Sequence, residues 1–432
     1  MVAARSTSIG SPETKGKMGL QGPQGALPMP GFAEKRLLSS SSAKRRKALT
    51  IDDINPNVKQ AKYAVRGELA VKSEQYRAML GRGEGKDLPF DTVVSANIGN
   101  PQQLDQKPIT FFRQVLAMLE NPALLENEKV MEEHFGYKAD AFDRARKLLK
   151  AVKSVGAYSQ SQGAPEIRKS VANFIERRDG YPADPENIYL CAGASSGVNT
   201  LLNVICAHEN TGVLVPIPQY PLYTATLSIL NATLVPYQLD EESNWGTNIN
   251  GIREALEKAR AEGTDVRALV VINPGNPTGA SLSGEDVRSV IELAAEEKLV
   301  LIADEVYQTN IFEGEFHSFK KGLRDLQKSE KNKDGKFDDV FLASLHSTSK
   351  GMVGECGHRG GYFEMVGFDP EVRSSFSHAC IKTMFIDTVC GTGRRPNLQV
   401  RLHNALCASC RTMYGRVDGK SPESGRTFIS TI

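Results

Sequence analysis

Residues 340–362 read VFLASLHSTSKGMVGECGHRGGY, and the rest of the chain is organised around them. The apolar run Val340-Phe341-Leu342-Ala343 has the character of a buried strand. It ends in a polar turn, His346-Ser347-Thr348-Ser349, and then a single lysine, Lys350, against Gly351. Nine residues on, Arg359 is flanked by Gly357, Gly360 and Gly361. A lysine desolvated at the mouth of a buried strand is a ready nucleophile, because loss of water disfavours its charged form. A hydroxyl on one side and an arginine in a glycine-lined loop on the other suit a phosphate dianion. The stretch points to a phosphorylated aldehyde held as an imine, which is the chemistry of pyridoxal phosphate.

A lysine after a strand is more often a solvated surface residue, and Ser347-x-x-Lys350 also fits the serine nucleophile of penicillin-binding proteins. That second reading expects S-D-N and K-T-G motifs, and neither occurs. A chain of 432 residues is long enough for two or more domains with sizeable cores. A hydrophobic share of 40% and a mean hydropathy of −0.33 are those of a soluble protein. No run of 18 apolar residues is present, so no membrane span is expected. A net charge of +2 gives no case for nucleic acid, and seven irregularly spaced cysteines suit a reducing compartment.

The first 48 residues carry nine Lys/Arg against two acids, together with the run Ser39-Ser40-Ser41-Ser42. Basic, serine-rich and acid-poor sequence has the composition of an organelle transit peptide, mitochondrial before plastid. A disordered basic tail is the plainer alternative. Folded sequence is expected from about residue 51, with an amphipathic helix over 58–80 after a capping cluster at 52–56. A short strand over 92–96, a helical pattern over 108–125 broken at Pro122, and helices over 141–152 and 165–178 come next. Strand, loop and helix then repeat. Strands are expected at 188–191, 212–215, 232–237, 266–272 and 299–303, and helices at 197–206, 252–262 and 283–298. Continuous apolar strands alternating with amphipathic helices imply a mostly parallel sheet covered on both faces, with ligands at the strands' carboxyl ends.

Five loops lie at those ends. Residues 192–197, Ala-Gly-Ala-Ser-Ser-Gly, precede a helix whose backbone N–H groups and dipole favour an anion, although a plain N-cap fits as well. Tyr220, between Pro218 and Pro221, could stack on a flat heterocycle or simply pack. The loop 273–279, Asn-Pro-Gly-Asn-Pro-Thr-Gly, offers the amide of Asn276 to a ligand. Asp304, at the end of an apolar strand, costs free energy unless it meets a cation, and a protonated pyridine nitrogen would serve. A helix-capping role for Asp304 is the bland alternative. With Lys350 and Arg359 these parts fall in the order that a pyridoxal enzyme needs.

The chain resembles the class-I/II, fold-type-I pyridoxal phosphate aminotransferases, and its details are similar to the alanine aminotransferases. The residues that carry this are 63–68 (YAVRGE), 97–102 (NIGNPQ), 157–159 (AYS), Ser349-Lys350-Gly351, 354–357 (GECG) and 359–362 (RGGY), within a match over about 52–375. The resemblance implies an α/β large domain over 141–365 and a smaller, incomplete α/β domain from 49–140 and 366–432. It implies that Lys350 holds the cofactor and then acts as base and acid, and that Asp304 pairs with the ring nitrogen. Tyr307 and Asn276 would bond the ring's phenolic oxygen and Tyr220 would stack on the ring. Ala194, Ser195, Ser347 and Arg359 would hold the phosphate. Tyr158 would reach the phosphate of a neighbouring subunit, so a homodimer is implied, and Gly99 would lie over the substrate with Asn276. The implied reaction converts L-alanine and 2-oxoglutarate to pyruvate and L-glutamate.

Only 82 residues follow Lys350, and the family-like sequence ends near Phe376. Residues 377–432 show no amphipathic period, and carry eight Lys/Arg against three acids and four of the seven cysteines. Cys407-x-x-Cys410 has no second ligand pair, so a metal is not expected. No arginine there sits in a context like the family's carboxylate clamp, so the tail reads as an aberrant end. Three functions follow: an alanine aminotransferase, an aminotransferase for another amino acid, or a chain that binds the cofactor without turnover.

Overall fold

The computed structural model describes residues 49–63, 67–94 and 98–390, with residues 381–390 described for the backbone alone. The expected transit peptide over 1–48, residues 64–66 and 95–97, and the tail from 391 lie outside the described residues. Residues 51–53 form a single 3-10 turn. From Ile54 the described elements are α1 (Pro56–Gln60), α2 (Glu68–Gly81), α3 (Thr110–Glu120), α4 (Ala123–Glu126), α5 (Glu128–Phe135), α6 (Ala139–Val152), α7 (Pro165–Asp179), β1 (Ile188–Cys191), α8 (Ala194–Ile205), β2 (Thr211–Ile217), α9 (Leu222–Leu230) and β3 (Thr233–Gln238). They continue with α10 (Ile249–Ala261), β4 (Asp265–Ile272), α11 (Gly284–Glu297), β5 (Val300–Asp304), α12 (Phe319–Gln327), β6 (Leu342–Ser347), β7 (Gly361–Val366) and α13 (Pro370–Cys390).

One seven-stranded sheet runs in the order β1-β7-β6-β5-β4-β2-β3. Neighbours pair in parallel except around β7, which is antiparallel to both β1 and β6. The sheet is therefore mostly parallel, as the sequence implies. Its strands are apolar on both faces because helices cover both. Leu214, Leu269, Leu301 and Leu342 pack against α10, α11 and α12. Val213, Ala268, Ile302, Ala343 and Phe363 pack against α8, α9 and α13. A third cluster joins α3, α6 and α7 to β1. Each fully buried aliphatic side chain contributes about 1.5–3 kcal/mol.

Local sequence sets the element ends. Pro165 opens α7, where its missing N–H costs nothing, and Gly180 closes it in the left-handed region at φ 73°. Ser283 and Asp286 form a reciprocal capping box on α11. Other expectations need correction. The helix expected over 58–80 is broken, because Ala61 (ψ 113°) and Gly67 (ψ −170°) are extended, and α2 buries no residue. Residues 92–94 are not strand, and the rest of the strand expected there lies outside the described residues. The loop at 192–196 is shorter than expected, since α8 already begins at Ala194. The strand expected from Val340 starts at Leu342 and takes in His346 and Ser347. The segment from 377 continues α13 to Cys390, and Phe376 and Cys380 are buried against the α8 face.

A polar layer lies inside this core. Lys320 Nζ sits 2.6 Å from Glu364 Oε1 between α12 and β7, and both side chains are at most 2% exposed. Lys320→Ala is expected to destabilise by about 3–5 kcal/mol, because it strands a buried carboxylate. Lys320→Met combined with Glu364→Leu should recover most of that loss in denaturant unfolding. A single-variant loss within error of zero would contradict a buried, paired state.

Candidate active site

The carboxyl ends of the parallel strands gather the candidate residues. Asp304 ends β5, the central strand, in register with Ile272 on β4 and Leu345 on β6. Its side chain is buried. The Tyr223 hydroxyl donates to Oδ2 at 2.8 Å and the Val306 N–H to Oδ1 at 3.4 Å. Among the described residues no lysine, arginine or histidine nitrogen lies within ion-pair distance. Burial pushes the Asp304 carboxyl above the usual range, while Tyr223, Val306 and the charge of Lys350 hold it down. The carboxylate is thus solvated by two hydrogen bonds and has no cation of its own.

Lys350 is half-buried three residues beyond β6, with Nζ 5.3 Å from the centre of the Tyr307 ring. The next residue is fixed: Asn310 Oδ1 accepts from the Gly351 N–H at 3.0 Å. Tyr307 in turn accepts a hydrogen bond from Asn276 Nδ2 at 3.3 Å. A methyl group at Gly99 would lie 3.7 Å from Lys350 Nζ, so that glycine faces the lysine. Tyr220 follows β2, and its hydroxyl meets that of Tyr63 at 2.5 Å. Burial raises the Tyr220 phenol, with Tyr63 and Tyr307 adding to it and Arg359 opposing.

Arg359 adopts the left-handed region at φ 54° and donates to Ser349 Oγ at 3.3 Å, Cys356 O at 3.1 Å and Ala192 O at 3.3 Å. Its guanidinium lies against the N-terminus of α8, because a Cβ at Gly193 would fall 2.4 Å from Nη2. Gly193 also needs φ 86°, so both space and backbone call for glycine. Ala194 and Ser195 open α8 there, half-buried. Ser347 Oγ is buried, donating to Gly360 O at 3.3 Å and accepting from the Ser349 N–H at 3.1 Å. Lys350, Asp304, Tyr307, Asn276, Tyr220, Arg359, Ser347, Ala194, Ser195 and Gly99 therefore fall at one edge of the sheet. Tyr158 stands apart, 97% exposed in the loop after α6.

Sequence reasoning missed Tyr223, Asn310 and Tyr63 as partners. The repeat of tyrosine at 220 and 223 was the one available signal. It also missed the layer behind the site. Glu305 points to the sheet face opposite Asp304, accepts from the Phe319 N–H at 2.8 Å and takes a short hydrogen bond from Ser344 Oγ. Arg178 pairs with Asp179 and donates to Gln308 Oε1, both within this layer. Buried His346 is pushed down to about 3 by burial and by Arg178, so it is neutral.

Residues 131–376, more than half of the chain, match the aminotransferase class I and II family. The chain belongs to that family, whose enzymes depend on pyridoxal phosphate. It is 54% identical over 329 residues to the mitochondrial alanine aminotransferase of Saccharomyces cerevisiae, covering 75% of this chain and 55% of that protein. It is 51% identical over 333 residues to a protein of the same yeast described as an inactive alanine aminotransferase, covering 76% and 64%. The chain thus spans less than two thirds of the length of these relatives. An alanine aminotransferase of Pyrococcus furiosus shares the fold, with a TM-score of 0.56 at 22% identity over 83% of this chain and 75% of that one.

The layer behind the site has a measurable pH signature. Burial lifts Glu305 to about 7 from an ordinary 4.5, so the folded protein keeps a proton that the unfolded chain releases. The stability this contributes is complete below pH 4.5 and is lost as pH rises through about 7. Glu305→Gln should accordingly gain on the wild type by about 3 kcal/mol between those limits, read from unfolding curves at both. A pH-independent difference would contradict a neutral, buried Glu305.

Proposed function

We propose that this chain binds pyridoxal phosphate through Lys350 and moves an amino group between an amino acid and a 2-oxo acid, with L-alanine and 2-oxoglutarate as the pair. The observation that carries the reading is Asp304: a buried carboxylate at the central strand end, hydrogen-bonded by Tyr223 and, among the described residues, without an ion-pair partner. A ring nitrogen that holds a proton completes that environment. The other donors fit the same group, because an arginine meets a helix N-terminus where Gly193 leaves room.

When bound, the cofactor supplies a ring that withdraws electrons from the substrate's α-carbon. The residues do the rest. Asp304 keeps the ring nitrogen protonated, and Tyr223 holds Asp304 in place. Lys350 would supply the amine that holds the aldehyde and, once released by the incoming substrate amine, would carry the proton from the substrate's α-carbon to the former aldehyde carbon. Asn276 and Tyr307, already bonded to each other, hold the phenolic oxygen. Tyr220, steadied by Tyr63, covers the ring. Arg359, Ser347 and the first turn of α8 at Ala194 and Ser195 hold the phosphate. Gly99 closes over Lys350 from the substrate side. Catalytic pairing with a second copy, which would lend Tyr158, belongs to this reading, as do the large domain over 141–365 and mitochondrial targeting by residues 1–48. The names of the yeast relative and of other mitochondrial relatives support the last.

A second reading is a chain that holds the cofactor without turnover. It is favoured by the similarity to a relative described as inactive. The visible spectrum of the protein with pyridoxal phosphate separates the two. The expected outcome is a band for the lysine-bound cofactor that L-alanine converts to the pyridoxamine form, and that Lys350→Ala lacks. Asp304→Ala should slow the conversion by at least about a hundredfold. A band that alanine leaves unchanged would select the second reading, and no band at all would overturn both.

A further inference from the structure

The loop that carries Lys350 and Arg359 is tied to the N-terminal part of the chain by a polar clamp that the chemistry above does not use. Glu355, in that loop, has a side chain only 1% exposed. Arg113 on α3 grips it with two parallel hydrogen bonds, Nε to Oε1 and Nη2 to Oε2, each at 2.9 Å. The same Nη2 donates to Gln102 Oε1 at 3.0 Å, and Gln102 Nε2 donates to Gly354 O at 3.1 Å. Glu355 is itself fixed, because its N–H donates to Thr348 O at 3.0 Å. The three side chains therefore close a ring between α3, the loop 354–355 and the segment that contains Gly99 and Gln102.

That segment contains Gly99, the residue that faces Lys350 Nζ. Its carbonyl is 3.8 Å from Cys356 Sγ, which donates to Ser349 O at 3.1 Å. A Cβ added at Gly354 would lie 3.9–4.0 Å from Gln106 and Pro101 of the same segment, so the two pieces of chain run side by side there. Gln102 is three residues from Gly99, so the clamp anchors the chain within one short stretch of the residue that faces Lys350.

We propose that Arg113, Glu355 and Gln102 are positioning residues that hold the Gly99 segment over Lys350 and thereby set the floor-to-lid gap that an amino-acid substrate enters. None of the three touches the reacting atoms. A bidentate arginine–carboxylate pair fixes orientation as well as distance, which a lysine at position 113 cannot reproduce. The clamp rests on the reading of Lys350 as the cofactor lysine, and its test has a readout that does not.

Cys356 reports on the segment directly. In the full chain loaded with pyridoxal phosphate, the rate of iodoacetamide alkylation at Cys356 is measured by mass spectrometry on the tryptic peptide 351–359. Gln102→Ala and Arg113→Ala should each raise that rate about tenfold or more, the factor expected for loss of a charge-assisted hydrogen bond. Arg113→Lys should fall between. The KM for L-alanine should rise in the same order, with the lysine-bound cofactor band retained. Should Arg113→Ala fail to fold, Gln102→Ala decides, since it strands no buried charge. Alkylation rates unchanged at a temperature where the variants are folded would overturn the proposal, including the case where only their melting temperature falls. A wild type without the cofactor band would instead overturn the functional reading, while the alkylation comparison would still judge the clamp.

Discussion

The arrangement depends on one buried carboxylate. Asp304 sits at the end of the fourth of seven strands, where backbone pairing to β4 and β6 leaves its side chain nowhere to go but inward. A carboxylate there is costly unless it is hydrogen-bonded and paired. Tyr223 and the Val306 N–H meet the first need. The second is met by nothing among the described residues, and the reading of this chain as a pyridoxal phosphate protein turns on that. The other candidate residues at the strand ends, from Lys350 to the Arg359–Gly193 contact, fall along the same edge of the sheet.

Successive residues of a strand point to opposite faces, and the site uses this. Asp304 faces Tyr223 and the α8–α9 side, while Glu305 faces the layer of Ser344, His346, Arg178 and Asp179. The second layer adds hydrogen bonds to the apolar packing between the ends of β5 and β6 and the elements α7 and α12. It fixes the ends of two strands whose last residues, Asp304 and Ser347, both belong to the candidate site. Antiparallel β7 completes the edge: it starts at Gly361, where an added Cβ would be 2.7 Å from His346 O and 3.0 Å from the Ala194 N–H. Close backbone approach there brings β6, β7 and the α8 N-terminus to one place.

Much of this was legible in the sequence because it is local. The apolar runs at 188–191 and 266–272 and the capping signal at Ser283 mark elements that the structure places within a residue or two. Reading the loops at the strand ends singled out Lys350, Asp304, Asn276 and Arg359 as a set, and all fall at one sheet edge. What stayed hidden was contact across sequence. Tyr223 meets Asp304 over 81 residues, and Arg113 meets Glu355 over 242. No periodicity encodes such pairs. The helix expected over 58–80 differs because Ala61 and Gly67 are extended and the stretch after them buries no apolar face. Helix α9 was missed because apolar residues surround it, so no polar face signals a period.

The central claim is that Lys350 is the residue to which pyridoxal phosphate attaches, with Asp304 as its electrostatic partner. Borohydride reduction of the loaded protein, followed by peptide mass mapping, tests it most directly. The account expects a single pyridoxyl adduct on Lys350, with the amount fixed falling sharply in Asp304→Ala at the same cofactor concentration. An adduct spread over other lysines, or one on Lys350 indifferent to Asp304, would contradict it.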